Sequence, residues 1–337
     1  MDKSQKKWVY ASLGISAIIL ALMVGSTFNE ETLTYLAHMN IFFLMIALGL
    51  RFVSFALWAL RIQKMSLSLG YQVPFSHCYN MVVANLLAGA LTPGQAGGEP
   101  VRIHELYKAK MSVGDATAVV IMERVLDAIM LVALSVCSLI IMGSVVWTLS
   151  SGIIFVIFFS LFLLIFFILL LLYAVRYPEP AKRMIMRFLH WIEIKMKKPS
   201  VQKIISKTDV EFDNFCSGIN AFARHGKSGF VWGSVCTILF WFSEFVVASV
   251  ILMGLGLPPA VSESMLAQII IALVSMIPLT PGASGVAELS AASLYALFVP
   301  TAALGIFILL WRLIMFYLNI VFGFIATMFI FKREITT

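Results

Sequence analysis

The sequence predicts an all-α polytopic membrane protein with about six full spans plus two re-entrant broken-helix hairpins in an inverted repeat. The first observation is composition, because 61% of the 337 residues are hydrophobic and only 12% are charged. The second is the apolar run 151–175, which exceeds the roughly 20 residues that a helix needs to cross a bilayer core. The third is the motif Leu-Thr-Pro-Gly, which occurs twice in apolar surroundings. Continuous apolar runs favour helices over a barrel, whose strands alternate apolar and polar residues.

The distribution of Lys and Arg orders the predicted spans across the membrane. Arg61 and Lys64 follow the second span, so the sequence assigns them to the cytoplasmic side together with both termini. The outer loops of this arrangement contain no Lys or Arg. The chain is predicted to be one transmembrane domain, 1–337, with repeat halves of about 1–142 and 151–337. The predicted full spans are 8–25, 40–60, 115–142, 151–175, 229–253 and 301–330.

The segment 176–227 carries eleven of the 24 Lys and Arg, interleaved with Trp and Ile. A basic amphipathic segment beside membrane spans is typical of a cytoplasmic loop that lies on anionic headgroups. We therefore predict no nucleic-acid partner. The four cysteines lack metal or redox spacing, and His104-Glu105 lacks the second histidine of a zinc-binding helix, so neither a metal nor a cofactor is expected.

Two apolar half-helices, 75–91 and 261–279, end at the repeated motif. The distribution of Lys and Arg predicts that they enter the membrane from opposite faces. Proline ends a helix, and glycine permits positive φ or close approach of the backbone to a ligand. Broken helices inserted from opposite sides are typical of inverted-repeat transporters, which bind their substrate where the broken ends meet. The alternative is two ordinary kinked spans. The residues assigned to the two breaks are Thr92, Pro93, Gly94, Gly97, Gly98, Thr280, Pro281, Gly282 and Gly285.

Charged side chains within apolar segments are candidate functional residues, because each is costly in a membrane. Glu123 and Asp127 lie four residues apart on one helix face, beside Arg124. These three either form a structural ion-pair cluster or bind a substrate. Arg51 and Glu244 either pair with each other or act independently. The candidate substrate-binding residues are Glu99, Arg102, Glu123, Arg124, Asp127, Glu288 and Arg312.

At these residues the sequence resembles a known family, the flippase-like membrane region of lysylphosphatidylglycerol synthases, which includes short stand-alone prokaryotic proteins. The resemblance covers essentially the whole chain and implies a protein of a prokaryotic plasma membrane that moves a phospholipid or a polyprenyl-linked lipid between leaflets. No segment is long enough for the aminoacyl-transfer domain of the fused synthases, so aminoacyl transfer is not expected. The motifs that carry the resemblance are TPGQAGGEPVR (92–102), ERVLD (123–127), PLTPGASGVAE (278–288) and Arg312.

The leading hypothesis places the lipid headgroup in a polar cavity between the hairpins while its tails stay in the bilayer. Arginines and helix N-termini would hold a phosphate, and carboxylates would hold a cationic or hydroxyl-rich headgroup. One alternative is an intramembrane transferase or hydrolase that uses Glu99, Glu123 or Asp127 as general base. Another is a membrane partner of a separate lipid synthase, docked through 176–227. The predicted partners are membrane lipids, with a lipid-synthesising enzyme and a second copy of the chain as candidate protein partners.

Overall fold

The computed structural model describes residues 3–92, 97–146, 151–177, 179–180, 182–184, 186–187, 222, 227–276 and 280–336. Within these ranges the chain is helical and contains no β-strand. Most of the predicted basic segment 176–227 lies outside the described residues. The helices of the described ranges are α1 Lys3–Thr27, α2 Glu30–Ala37, α3 Ile41–Ser68, α4 Phe75–Ala90, α5 Gly98–Lys108, α6 Val113–Val146, α7 Ser151–Arg176, α8 Lys227–Gly254, α9 Val261–Ser275, α10 Val286–Tyr295, α11 Thr301–Arg312 and α12 Leu318–Thr336, with a π-helical turn, Leu313–Tyr317, between the last two.

The predicted all-α membrane class is confirmed. Among the described residues, three helical stretches have the length and hydropathy of a membrane span: α3, α8 and the continuous helix Thr301–Ile330. Helices α1, α6 and α7 follow three further predicted spans and contain 25, 34 and 26 residues. The count of six spans, the re-entrant insertion and the inverted repeat stay predictions.

The N-terminal third differs from the sequence prediction at two places. The segment expected to be an outer loop forms α2, because the Asn29 side chain accepts from the Thr32 amide at 2.9 Å while Thr32 Oγ1 accepts from the Asn29 amide at 3.1 Å. This reciprocal capping satisfies two amides that a helix start leaves unpaired. Helix α3 begins after its Asn40 cap but continues to Ser68, well past the predicted end at residue 60.

The helices pack in two groups that meet where α3 contacts α8. Helices α4 and α5 pack against each other. In addition, α4 packs against α3, and α5 packs against α6. In the same way, α9 and α10 pack against each other, while α9 also packs against α8 and α10 against α11. The described residues form two buried apolar clusters, one around Ile62 and Met81 and the other around Ile251 and Phe307, and helices α3, α6 and α8 contribute to both. These matched contacts are compatible with the predicted repeat, and α12 adds an extensive contact with α4.

Candidate functional site

The two helix breaks touch each other. The Gly282 amide donates a hydrogen bond to the Thr92 carbonyl oxygen at 3.3 Å. A Cβ atom added to Gly282 would lie 2.8 Å from the Ala90 carbonyl oxygen and 2.4 Å from the Phe316 ring. This approach therefore requires a residue without a side chain, and it brings the ends of α4 and α9 to one place.

At the first break, Thr92 connects the two half-helices. Its Oγ1 donates to the Ala88 carbonyl oxygen at 3.0 Å and accepts from the Gly97 amide at 2.8 Å. Gly97 has a φ of −67°, so it does not use the positive φ that glycine permits. Glycine is needed for space instead, because an added Cβ would lie 2.6 Å from the Thr92 side chain. Gly98 likewise faces Asn85 closely. Pro93 and Gly94 lie outside the described residues.

The second break does use positive φ. Gly282 and Gly285 have φ values of +58° and +88°, which glycine adopts without steric penalty. Pro281 and Gly285 are buried, Thr280 is partly buried, and α10 begins directly after Gly285. The break is therefore enclosed by protein, as an irregular backbone at membrane depth must be.

Four charged side chains form a buried cluster on α6 and its neighbours, which we call the α6 cluster: Arg61, Arg102, Glu123 and Asp127. Arg61 Nε donates to Glu123 Oε1 at 3.0 Å, and its Nη1 donates to Asp127 Oδ1 at 2.6 Å. Arg102 Nη1 donates to the other Glu123 oxygen at 2.7 Å. Each of the four side chains is at most 6% exposed. The cluster gives each of the two carboxylates on this helix face a buried arginine partner, which a buried ionisable group needs.

Arg61 is buried within α3, although its predicted place at the cytoplasmic end of the second span stays a prediction. Because α3 extends to Ser68, Arg61 lies inside the helix and is 1% exposed. Trp58, one turn earlier, donates its indole N–H to Glu123 at 2.9 Å, and Trp241 donates to Asp127 at 3.1 Å. Sequence analysis identified Glu123 and Asp127 but not Arg61, although two buried carboxylates on one helix face require a buried cation on another helix.

Two further ion pairs repeat the same arrangement after each break. Arg124 Nε donates to Glu99 at 2.8 Å, and Arg312 Nε donates to Glu288 at 2.8 Å. Arg124 lies 32 residues after Thr92, and Arg312 lies 32 residues after Thr280. Each pair therefore ties a restarted helix to the helix that follows it, and this shared spacing was readable from the sequence.

The two matched pairs differ in exposure. The side chains of Arg124 and Glu99 are 28% and 30% exposed, whereas those of Arg312 and Glu288 are 6% and 0% exposed. Glu288 also accepts from the Ser16 hydroxyl at 2.5 Å and from the Gly285 amide at 2.7 Å. The second pair is thus enclosed by its own hydrogen bonds, while the first is accessible.

Arg51 and Glu244 pair with each other, which decides between the two alternatives left open by the sequence. Arg51 Nη1 donates to a Glu244 oxygen, and its Nε and Nη2 donate to Asn319 Oδ1 at 3.2 and 3.0 Å. The pair therefore joins α3 to α8 and, through Asn319, to α12.

These groups surround a cavity of about 380 Å³ between the two breaks. Its volume falls within the roughly 300–1,000 Å³ of small-ligand sites. Of the predicted substrate-binding residues, Glu99, Arg124, Asp127 and Arg312 line the cavity, whereas Arg102, Glu123 and Glu288 lie behind them as partners. The charged residues of its lining are Arg51, Arg61, Glu99, Arg124, Asp127, Glu244 and Arg312.

The charges around the cavity balance. With the partners behind the wall included, the described residues contribute five arginines and five carboxylates, which we call the charge network. Every member has an ion-pair partner within the network. Its members are Arg51, Arg61, Arg102, Arg124, Arg312, Glu99, Glu123, Asp127, Glu244 and Glu288.

Comparisons with known proteins agree on one family. The family model described as the lysylphosphatidylglycerol synthase TM region matches residues 9–323. A UPF0104 membrane protein of Archaeoglobus fulgidus is 33% identical over 313 residues, which cover 93% of this chain and 94% of that protein. A UPF0104 membrane protein of Methanothermobacter thermautotrophicus is 25% identical over 279 residues, which cover 81% of each chain. No solved structure matches the chain.

Proposed function

This chain belongs to the family of the lysylphosphatidylglycerol synthase TM region, and from that premise we propose that it is a lipid transporter, a flippase or scramblase. The headgroup of a phospholipid or a polyprenyl-linked lipid enters the cavity between the α4–α5 and α9–α10 pairs. The acyl or polyprenyl chains remain in the bilayer beside the protein.

The observation that carries the proposal is the cavity between two touching helix breaks, lined by charges of both signs in a protein that is 61% hydrophobic. Charged groups within membrane segments are rare and are associated with substrate or ion pathways. Irregular backbone at membrane depth is tolerated where it is buried or lines a cavity, and transporters use such breaks for binding.

The candidate residues divide into two roles. Glu99 and Arg124 form the accessible ion pair and make the first contact with a headgroup. Asp127 and Arg312 line the wall, each held by buried partners. Glu288 orients Arg312 directly. Glu123, which also binds Arg102, orients Arg61, the arginine that holds Asp127. Structural pairing and substrate binding are therefore two functions of one network rather than alternatives.

The test is a leaflet-accessibility assay with purified protein in liposomes. Lipids that carry a fluorescent group on an acyl chain are quenched by dithionite added outside, so movement appears as loss of the protected fraction. We expect movement above that of protein-free liposomes, and we expect Arg124→Gln to reduce it. Glu263→Gln is the matched control, because Glu263 is an exposed carboxylate hydrogen-bonded to Ser262 and away from the cavity lining.

Failure of every tested lipid to move above protein-free liposomes contradicts the proposal. Mass spectrometry of the lipids recovered from the same liposomes checks the alternative enzyme function, since a transferase or hydrolase would change their mass and a transporter would not. We further propose that the single domain 1–337 lies in a prokaryotic plasma membrane with both termini in the cytoplasm. A lipid-synthesising enzyme and a second copy of the chain remain its proposed protein partners.

A further inference from the structure

The Glu99–Arg124 pair differs from the other ion pairs of the charge network. Its side chains are 28% and 30% exposed, whereas no side chain in the other pairs exceeds 11%. Both residues line the cavity. A ligand therefore reaches this pair without first disturbing the buried charges behind it.

Arg124 has donors left for a ligand. Its hydrogen bond to Glu99 uses Nε, and its terminal nitrogens make no hydrogen bond with any described residue. The guanidinium group presents its N–H groups in a planar fork that matches two oxygens of a phosphate. Trp311, another residue of the cavity wall, has a buried indole N–H without an acceptor among the described residues. These free donors favour a ligand with oxygen acceptors.

The neutrality of the charge network limits the net charge of that ligand. A headgroup that fills the cavity displaces the water that screens the Glu99–Arg124 pair, and a charge left unpaired there is then strongly unfavourable. A headgroup with one negative and one positive charge can replace the Glu99–Arg124 contact by two new ion pairs. An anionic headgroup that took Arg124 would leave Glu99 without a partner, and a cationic one that took Glu99 would leave Arg124 without one.

We propose that the open Glu99–Arg124 pair makes this cavity selective for a zwitterionic headgroup, with its phosphate on Arg124 and its ammonium group on Glu99. The proposal rests on the proposed function insofar as the occupant is a membrane lipid. It adds that the net charge of the headgroup, rather than its size, decides which lipid enters.

Three acyl-labelled lipids test the selectivity in the liposome assay: zwitterionic phosphatidylethanolamine, anionic phosphatidylglycerol and cationic ethylphosphatidylcholine. We expect phosphatidylethanolamine to move about tenfold faster than either charged lipid. In Glu99→Gln the anionic lipid should move faster than in the wild type, so that its difference from phosphatidylethanolamine largely disappears. Glu263→Gln should keep the wild-type ratio.

Binding supplies a second readout that does not depend on movement. Native mass spectrometry of the purified protein with equimolar phosphatidylethanolamine and phosphatidylglycerol should show preferential retention of the former, and Glu99→Gln should remove this preference. Equal movement of all three lipids, or equal retention of both, overturns the selectivity proposal while leaving transport intact. Preferential retention without any movement supports the selectivity and overturns transport instead.

Discussion

Arg312 and Glu288 form a sealed ion pair, in which the arginine Nε lies 2.8 Å from the carboxylate and neither side chain exceeds 6% exposure. The matched pair of Arg124 and Glu99 has the same distance but is about a third exposed. One geometry therefore occurs in two environments, and the energetic consequences of losing each pair should differ.

The first prediction compares the two pairs directly. Glu288→Gln leaves the buried Arg312 charge without a counter-charge, and we expect it to destabilise the protein by about 3 kcal/mol. Glu99→Gln affects a pair that solvent screens, so we expect a loss of at most about 1 kcal/mol. Thermal unfolding of both variants in one detergent measures the difference, and equal shifts in Tm would contradict the assigned environments.

The second prediction concerns Arg61, which the sequence could not distinguish from its neighbour Lys64. Arg61→Leu should cost about 3–5 kcal/mol, because two buried carboxylates lose a partner. Lys64→Leu, whose ammonium group contacts the Trp232 ring, should cost at most about 1 kcal/mol. Adding Asp127→Leu to Arg61→Leu should recover part of the lost stability, because apolar replacement of both partners removes the uncompensated charge. No recovery in the double variant would mean that Asp127 is not a partner of Arg61.

The third prediction concerns the contact between the breaks. Gly282→Ala places a Cβ atom against the Ala90 carbonyl oxygen and the Phe316 ring, so we expect loss of folded protein or of transport. Gly256 is the matched control, because it has a φ of +73° but nothing within 4 Å of an added Cβ. Gly256→Ala should therefore cost only the roughly 1–2 kcal/mol of backbone strain. Size-exclusion chromatography and Tm compare the two, and similar behaviour would show that the close approach is unimportant.

The fourth prediction uses a compensating pair inside the first hairpin. A Cβ atom at Gly98 would lie 2.0 Å from Asn85 Oδ1, so Gly98→Ala should destabilise the α4–α5 contact. Asn85 Oδ1 is buried without a hydrogen-bond partner among the described residues, so Asn85→Ala alone should have a small effect. The double variant should be more stable than Gly98→Ala. If the losses of stability caused by Gly98→Ala and Asn85→Ala simply add in the double variant, the clash with Asn85 is not the reason that residue 98 is glycine.

The fifth prediction concerns orientation. In a background without native cysteines, Gly256→Cys should react with a membrane-impermeant maleimide from outside the cell. Tyr107→Cys, at the exposed end of α5, should react only after the membrane is permeabilised. The reverse pattern would invert the proposed topology and place both termini outside.

The sequence located the breaks well because proline and glycine act on the local backbone. The predicted half-helices 75–91 and 261–279 correspond to α4 and α9, which end at Ala90 and Ser275, and the helices restart four residues after each Leu-Thr-Pro-Gly motif. The helix lengths were harder to predict. Apolar composition did not reveal that α3 continues to Ser68, since its last turns carry polar residues that face other helices.

The partners in the ion pairs depend on tertiary structure, so most of them could not be predicted from the sequence. The pairing of Arg51 with Glu244 spans 193 residues, and that of Arg61 with Asp127 joins different helices. A rule that counts basic residues at the ends of spans cannot separate Arg61 from a loop residue. The pairing of Arg124 with Glu99 was easier to predict, because the same spacing follows each break in the sequence.

The hydrogen bond between the Gly282 amide and the Thr92 carbonyl oxygen has a mechanical consequence. A single neutral hydrogen bond contributes about 1 kcal/mol, which is comparable to thermal energy. The two breaks are thus joined by one weak contact, whereas the buried ion pair of Glu288, in the first turn of α10, and Arg312 holds the second break to α11. We therefore expect the contact between the breaks to be lost at a lower free-energy cost than the buried ion pair.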